Sequence, residues 1–229
     1  MDHSASRAQS ADHGPPPHRG PLNEAAQKEL TSSEALALLV AGNERFLTGV
    51  PIKRNHALSI QATAEGQFPY AVVLGCIDSR VPHELIFDAG IGDLFSVRIA
   101  GNFINDDILG SLEFATAISG AKLIVVLGHS ECGAVKGACD DVRLGHLTGL
   151  LKNLAPAVAS TSVRGKRDSS NAEFVQAVAF ANVRQSVKDI AAKSPVINEL
   201  VKTGRATIVG GMHDLATGQV DFLVDPDRD

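Results

Sequence analysis

Two short stretches carry residues that a folding argument alone would not place where they stand. "CIDSR", Cys76 to Arg80, follows directly on the apolar run "YAVVLG", and "GHSECG", Gly128 to Gly133, closes the run "KLIVVL". A thiol, an acid and a guanidinium crowd the end of the first run, and His129 and Cys132 stand at the end of the second. Two thiolates and an imidazole suit Zn²⁺, which favours soft S and N ligands in a tetrahedron. Three protein ligands, Cys76, His129 and Cys132, leave one position open, as in a catalytic rather than a structural zinc. Any one of these residues alone reads as a small buried hydrophobe or a satisfied strand-end histidine. It is the three together, with Gly128 and Gly133 flanking the His-x-x-Cys turn, that point to a metal, one ion per chain.

Asp78, two residues after Cys76, can reach such a metal or the water bound to it. Arg80 can hold that carboxylate in a bidentate, charge-assisted pair, keeping it ionised and acceptor-only. The plainer reading is an ion pair capping the helix expected in "VPHELIFDA"; the two roles are compatible.

These groups need strands to carry them. "YAVVLGC" (70–76), "LFSVR" (94–98), "KLIVVLGH" (122–129) and "ATIVGG" (206–211) read as buried strands, with "VDFLVD" (220–225) as an edge strand. Thr31 and Glu34 form a capping box ahead of the helical pattern "EALALLVAGNERFL". "DDILGSLEFATAISG" and "NAEFVQAVAFANVRQSVKDIAAK" read as further helices, the latter with Val175, Ala179, Val183, Val187 and Ile190 on one stripe. Alternating strand and helix predict an α/β fold with a mostly parallel central sheet covered on both faces. Ligands then gather beyond the carboxyl ends of the strands. Residues 1–22, polar and rich in Pro, Ser and His, are expected to form a disordered arm, and 23–229 a single catalytic domain.

The bulk composition excludes several partners. Net charge is −5 and the basic residues form no stripe, so neither nucleic acid nor an anionic membrane is expected as a partner. No apolar run approaches the ~20 residues of a membrane span. Three cysteines make no disulfide framework and suit a reducing compartment or a metal. With no apolar leader segment at the start, a cytoplasmic location is expected, or a periplasmic one had a leader been removed.

"CIDSR" with "GHSECGAVKG" resembles the β-class carbonic anhydrases, whose signature is Cys-x-Asp-x-Arg followed by His-x-x-Cys. The likeness runs from Gln67 to "GGMHDLATGQVDFL", and "VRIAGN" (97–102) resembles the family's Arg-x-x-x-Asn segment. The resemblance implies Cys76, His129 and Cys132 as zinc ligands and Asp78–Arg80 as a catalytic dyad. It further implies that Gln67 binds CO₂ or bicarbonate from the neighbouring protomer, that Phe95 walls the pocket, and that Gly133 offers its N–H to substrate. Gln67 and Phe95 read on their own as a loop residue and a core aromatic. A homodimer or homotetramer with sites at the protomer interface is implied too. The chain departs from the family pattern at Phe114, where many members carry tyrosine, and at Val73, where an inhibitory bicarbonate pocket in some bacterial members places tryptophan.

The expected reaction is reversible hydration of CO₂ to bicarbonate and a proton by zinc-bound hydroxide. Proton carriers to be considered are His83 and the histidines of the arm. The alternatives are hydrolysis of COS or CS₂ on the same zinc, a structural-zinc sensing or interaction module, and thiol catalysis by Cys76 with His129.

Overall fold

The structure, a computed structural model, describes residues 20–223; most of the expected N-terminal arm lies outside them. Three helices open it: α1 (Glu24–Glu29), α2 (Ser32–Thr48) and α3 (His56–Thr63). Thr31 accepts from the Glu34 N–H while Glu34 reaches back to the Thr31 N–H, completing the expected capping box of α2. Strand β1 (Ala71–Gly75), helix α4 (His83–Ile86), strand β2 (Leu94–Arg98), helix α5 (Asp106–Glu113) and strand β3 (Leu123–His129) follow. Then come α6 (Gly133–Cys139), α7 (Gly145–Leu151), α8 (Ala155–Ser160), α9 (Ala172–Lys193), α10 (Pro195–Lys202), β4 (Thr207–His213) and β5 (Val220–Leu223).

The sheet order is β2-β1-β3-β4-β5; the first four strands are parallel and β5 pairs antiparallel at the edge. Every residue of β1 and β3 is buried, as a strand covered on both faces requires. Side chains alternate between the faces. Val72, Leu74, Ile124 and Val126 pack on Leu112 of α5 and on Phe174, Val178 and Val183 of α9. Ala71, Val73, Leu123, Val125 and Leu127 pack on Leu38 and Leu39 of α2 and on Phe87. The expected α/β architecture is therefore observed.

Differences from the periodicity reading have local causes. The pattern "DDILGSLEFATAISG" begins as α5 and then widens into a π turn over Phe114–Ile118. The expected helix in "VPHELIFDA" is a single turn, because Asp88 enters the left-handed region at φ 40°. Asp78 does not cap that helix, whose N-terminus at Pro82 has no side-chain cap. The short helices α3, α7, α8 and α10, of 8, 7, 6 and 8 residues, offer too few turns for an apolar stripe to stand out. Among the described residues no helix is long and apolar enough to cross a membrane.

Candidate active site

β1 and β3 are neighbours, but the chain leaves them toward opposite edges: β2 lies beyond β1 and β4 beyond β3. Such a reversal opens a crevice beyond the carboxyl ends of the two strands. Cys76 is the residue after β1, His129 ends β3, and Cys132 precedes α6 as its N-cap. Their ligand atoms all lie within 4.8 Å of one another, and the two sulfurs are 4.0 Å apart. All three residues are buried.

His129 Nδ1 faces the Ser130 carbonyl at 2.8 Å. A carbonyl only accepts, so Nδ1 carries the proton and Nε2 keeps its lone pair. That Nε2 is buried and has no hydrogen-bond partner. A buried unpaired acceptor is costly, and its position beside two thiols is one that a soft cation would satisfy. Zinc ligands at ~2.0–2.3 Å from a shared ion stand roughly 3.5–4 Å from one another; the donor set fits zinc, and the two sulfurs stand at such a spacing. Cys76 is drawn down to about 4, chiefly by the Cys132 S–H, while Cys132 is pushed up by the neighbouring Cys76 and by burial.

Asp78 stands apart from the three donors. Its Oδ1 accepts from the Arg80 backbone N–H at 3.0 Å and from Nε at 2.9 Å, and its Oδ2 accepts from Nη2 at 2.8 Å. The Arg80 guanidinium holds this carboxyl well below the usual carboxylate range. The acid is thus ionised and oriented, as the spacing predicts.

Four supporting hydrogen bonds escaped the sequence reading. Arg98, the last residue of β2, donates from Nε to the Cys76 carbonyl at 2.9 Å and from Nη2 to the Asp78 carbonyl at 2.5 Å. It therefore pins both Cys76 and Asp78 of "CIDSR" to the neighbouring strand. Gly101 donates its N–H to the Cys76 sulfur at 3.3 Å, and Asn182 of α9 donates to the Gly101 carbonyl at 2.9 Å. Asn182 is buried beside Val183, and a polar residue inside an apolar helical stripe was the available signal.

Of the remaining expected residues, Gln67 and Phe95 are not gathered at the three donors within one chain. Gln67 is exposed in the loop before β1, alongside Ile91 and Gly92, whereas Cys76 follows the other end of that strand. Strand β1, five residues and thus about 17 Å long, lies between them. Phe95 pairs with Val72 and meets Phe114 edge-to-face, ring centroids 6.2 Å apart, in an open groove of about 700 Å³ whose lining holds none of the three donors. Gly133 does adjoin the cluster: it follows Cys132, is exposed, and has open space where a side chain would project. His83 is fully buried, its ring packed against Gly75 so closely that a Cβ there would lie 2.1 Å from Nε2. Burial lowers it to about 4, so it cannot exchange protons with solvent as a surface carrier would.

Comparison with known proteins agrees with this geometry. A family model described as carbonic anhydrase matches residues 71–220. Carbonic anhydrase 2 of Mycobacterium tuberculosis is 40% identical over 185 residues, covering 79% of this chain and 87% of that protein. The carbonic anhydrase of Mycolicibacterium smegmatis is 35% identical over 183 residues, covering 79% and 88%. The β-carbonic anhydrase CafA of Aspergillus fumigatus superposes with TM-score 0.65 at 29% identity, over 76% of this chain and 84% of that one. A crystal structure from Sordaria macrospora, one of two β-carbonic anhydrases described as tetrameric, gives TM-score 0.61 at 26% identity, over 74% and 91%. With the Cys-x-Asp-x-Arg and His-x-x-Cys segments meeting at one crevice of a β-carbonic-anhydrase fold, this chain belongs to the carbonic anhydrase family, in its β class.

Proposed function

We propose that this chain hydrates carbon dioxide reversibly to bicarbonate and a proton, with one zinc ion held by Cys76, His129 and Cys132. The observation that carries the reading is the buried trio of donors within 4.8 Å, with His129 Nε2 otherwise unpartnered. Zinc, when bound, supplies a Lewis acid that brings the pKa of water from ~15.7 toward ~7.

The chain's own groups do the rest. Asp78, ionised and fixed by Arg80, can only accept hydrogen bonds. It takes the O–H of the attacking water and so turns the oxygen lone pair toward carbon dioxide. Arg98 keeps Asp78 and Cys76 in register with each other through their carbonyls. The Gly133 N–H serves as a donor toward a substrate oxygen in the open space beside it. The proton released passes to solvent and buffer, since His83 is sealed in the core.

The assembly is a homodimer or homotetramer, with the site completed by Gln67 and Phe95 at the protomer boundary. Gln67 lies at the far end of β1 from its own Cys76, so a second copy is what would bring it to substrate. Two ligand thiols suit the reducing cytoplasm. The test is removal of metal by a chelator at mild pH, followed by titration with zinc. Hydration activity should vanish and return in proportion to zinc, saturating near one ion per chain; full activity in metal-free protein would overturn the proposal.

A further inference from the structure

Residues 99–102 form an unusual turn. Gly101 has φ 83° and Asn102 follows with φ 39°, two successive residues in the left-handed region, and Asn102 is not a glycine. The Asn102 N–H closes the turn on the Ile99 carbonyl. Space at Gly101 is also exhausted: a Cβ there would meet Leu154 Cδ1 at 2.8 Å and Ala134 Cβ at 3.3 Å. Such backbone persists only where its surroundings hold it.

The hold comes from α9. Asn182 is 4% exposed, and its Nδ2 reaches across 81 residues of sequence to the Gly101 carbonyl at 2.9 Å. On the other side of the same residue, the Gly101 N–H points at the Cys76 sulfur, 3.3 Å away. With its carbonyl anchored, Gly101 has only its own φ and ψ left to reorient that N–H. Leu154 and Ala134 crowd the side of Gly101 from which a Cβ would project.

We infer that Asn182 is a positioning residue of the metal centre: by anchoring Gly101 it aims an N–H at the Cys76 sulfur, fixing that ligand and drawing charge from it. The inference rests on Cys76 being a metal ligand, as proposed above. Hydrogen bonds to ligands from outside the coordination sphere commonly govern affinity by roughly 10–100-fold. Losing the amide frees the turn, so Cys76 loses its held position and its sulfur regains charge.

The test uses the full chain loaded with Co²⁺ in place of zinc, reading the thiolate-to-cobalt charge-transfer band, together with zinc affinity by competition with a chromophoric chelator. Asn182→Ala should weaken zinc by roughly 10–100-fold and move the charge-transfer band to longer wavelength. Asn182→Ser, a milder change should the alanine variant fold poorly, should shift both in the same direction. Ile190→Ala removes buried apolar volume from the same helix, away from Gly101, and should lower the melting temperature while leaving band and affinity as in the parent. Unchanged band and affinity in folded Asn182 variants, or equal changes in Ile190→Ala, would overturn the inference. Absence of any thiolate band in the parent protein, or a band left unchanged by Cys76→Ser, would instead overturn Cys76 as a ligand, and the two failures are thereby told apart.

Discussion

The sulfurs of Cys76 and Cys132 lie 4.0 Å apart, one after β1 and the other before α6, at the point where the sheet reverses its winding. Two buried thiols this close cannot both ionise without a cation between them, and His129 Nε2 completes the set from the end of β3. Cys132→Ser should therefore abolish stoichiometric zinc binding and lower the melting temperature, because metal binding and folding are coupled. Zinc content by elemental analysis and a thermal melt check this together. A variant that keeps one zinc per chain would remove Cys132 from the ligand set.

Asp78 and Arg80 are predicted to act on the reaction and not on the metal. Asp78→Asn leaves the three donors untouched but replaces an acceptor-only carboxylate with an amide. Turnover should fall by about 100-fold or more while zinc content stays at the parent level. Arg80→Lys gives up the bidentate grip and should show a smaller loss of the same kind. Steady-state hydration rates on zinc-quantified variants test both, and full activity in Asp78→Asn would refute the assignment of the dyad.

Stability should carry the signature of His83. Its folded pKa, about 4, lies below the ordinary 6.5, so the unfolded chain binds the proton more readily. This contribution is fully present above about pH 6.5 and is lost as pH falls from there toward 4, on the order of 3 kcal/mol in all. His83→Leu should flatten that part of the stability-against-pH curve relative to the parent, measured by urea unfolding. Parallel curves for the two proteins would show that His83 does not titrate on unfolding as described.

Gln67 offers a test of sharing between protomers. Gln67→Ala and Asp78→Asn should each be strongly impaired as homo-oligomers. In a mixed dimer, one site would combine the intact Asp78 of one chain with the intact Gln67 of the other. Co-expression with two affinity tags should thus recover activity, approaching half the parent sites per mixed dimer. No recovery in purified mixed dimers would mean that Gln67 does not serve a neighbour's site.

Much of this arrangement was legible in the chain because it rests on strong local signals. β1 and β3 are apolar in every position but their glycines and His129, since both faces of each are covered, and the polar residues that interrupt or follow these runs, His129 and "CIDSR", therefore stood out. Asp78–Arg80 was legible because two residues two positions apart needed no tertiary information to meet. Asn182 and Gly101 were not, because 81 residues separate them and the hydrogen bond depends on how α9 crosses the sheet. Arg98 was visible as part of "VRIAGN", but its two carbonyl partners lie just beyond the end of the neighbouring strand β1, whose register with β2 no local pattern reveals. His83 was open to consideration as a proton carrier because its burial depends on a glycine, Gly75, leaving room for a ring.

The measurement that bears most directly on the account is the initial rate of carbon dioxide hydration by zinc-quantified protein, from about pH 6.5 to about 9. The account predicts about one zinc per chain and a rate that rises with pH through a single pKa. Protein that holds its full complement of zinc and hydrates no carbon dioxide anywhere in that range would contradict it.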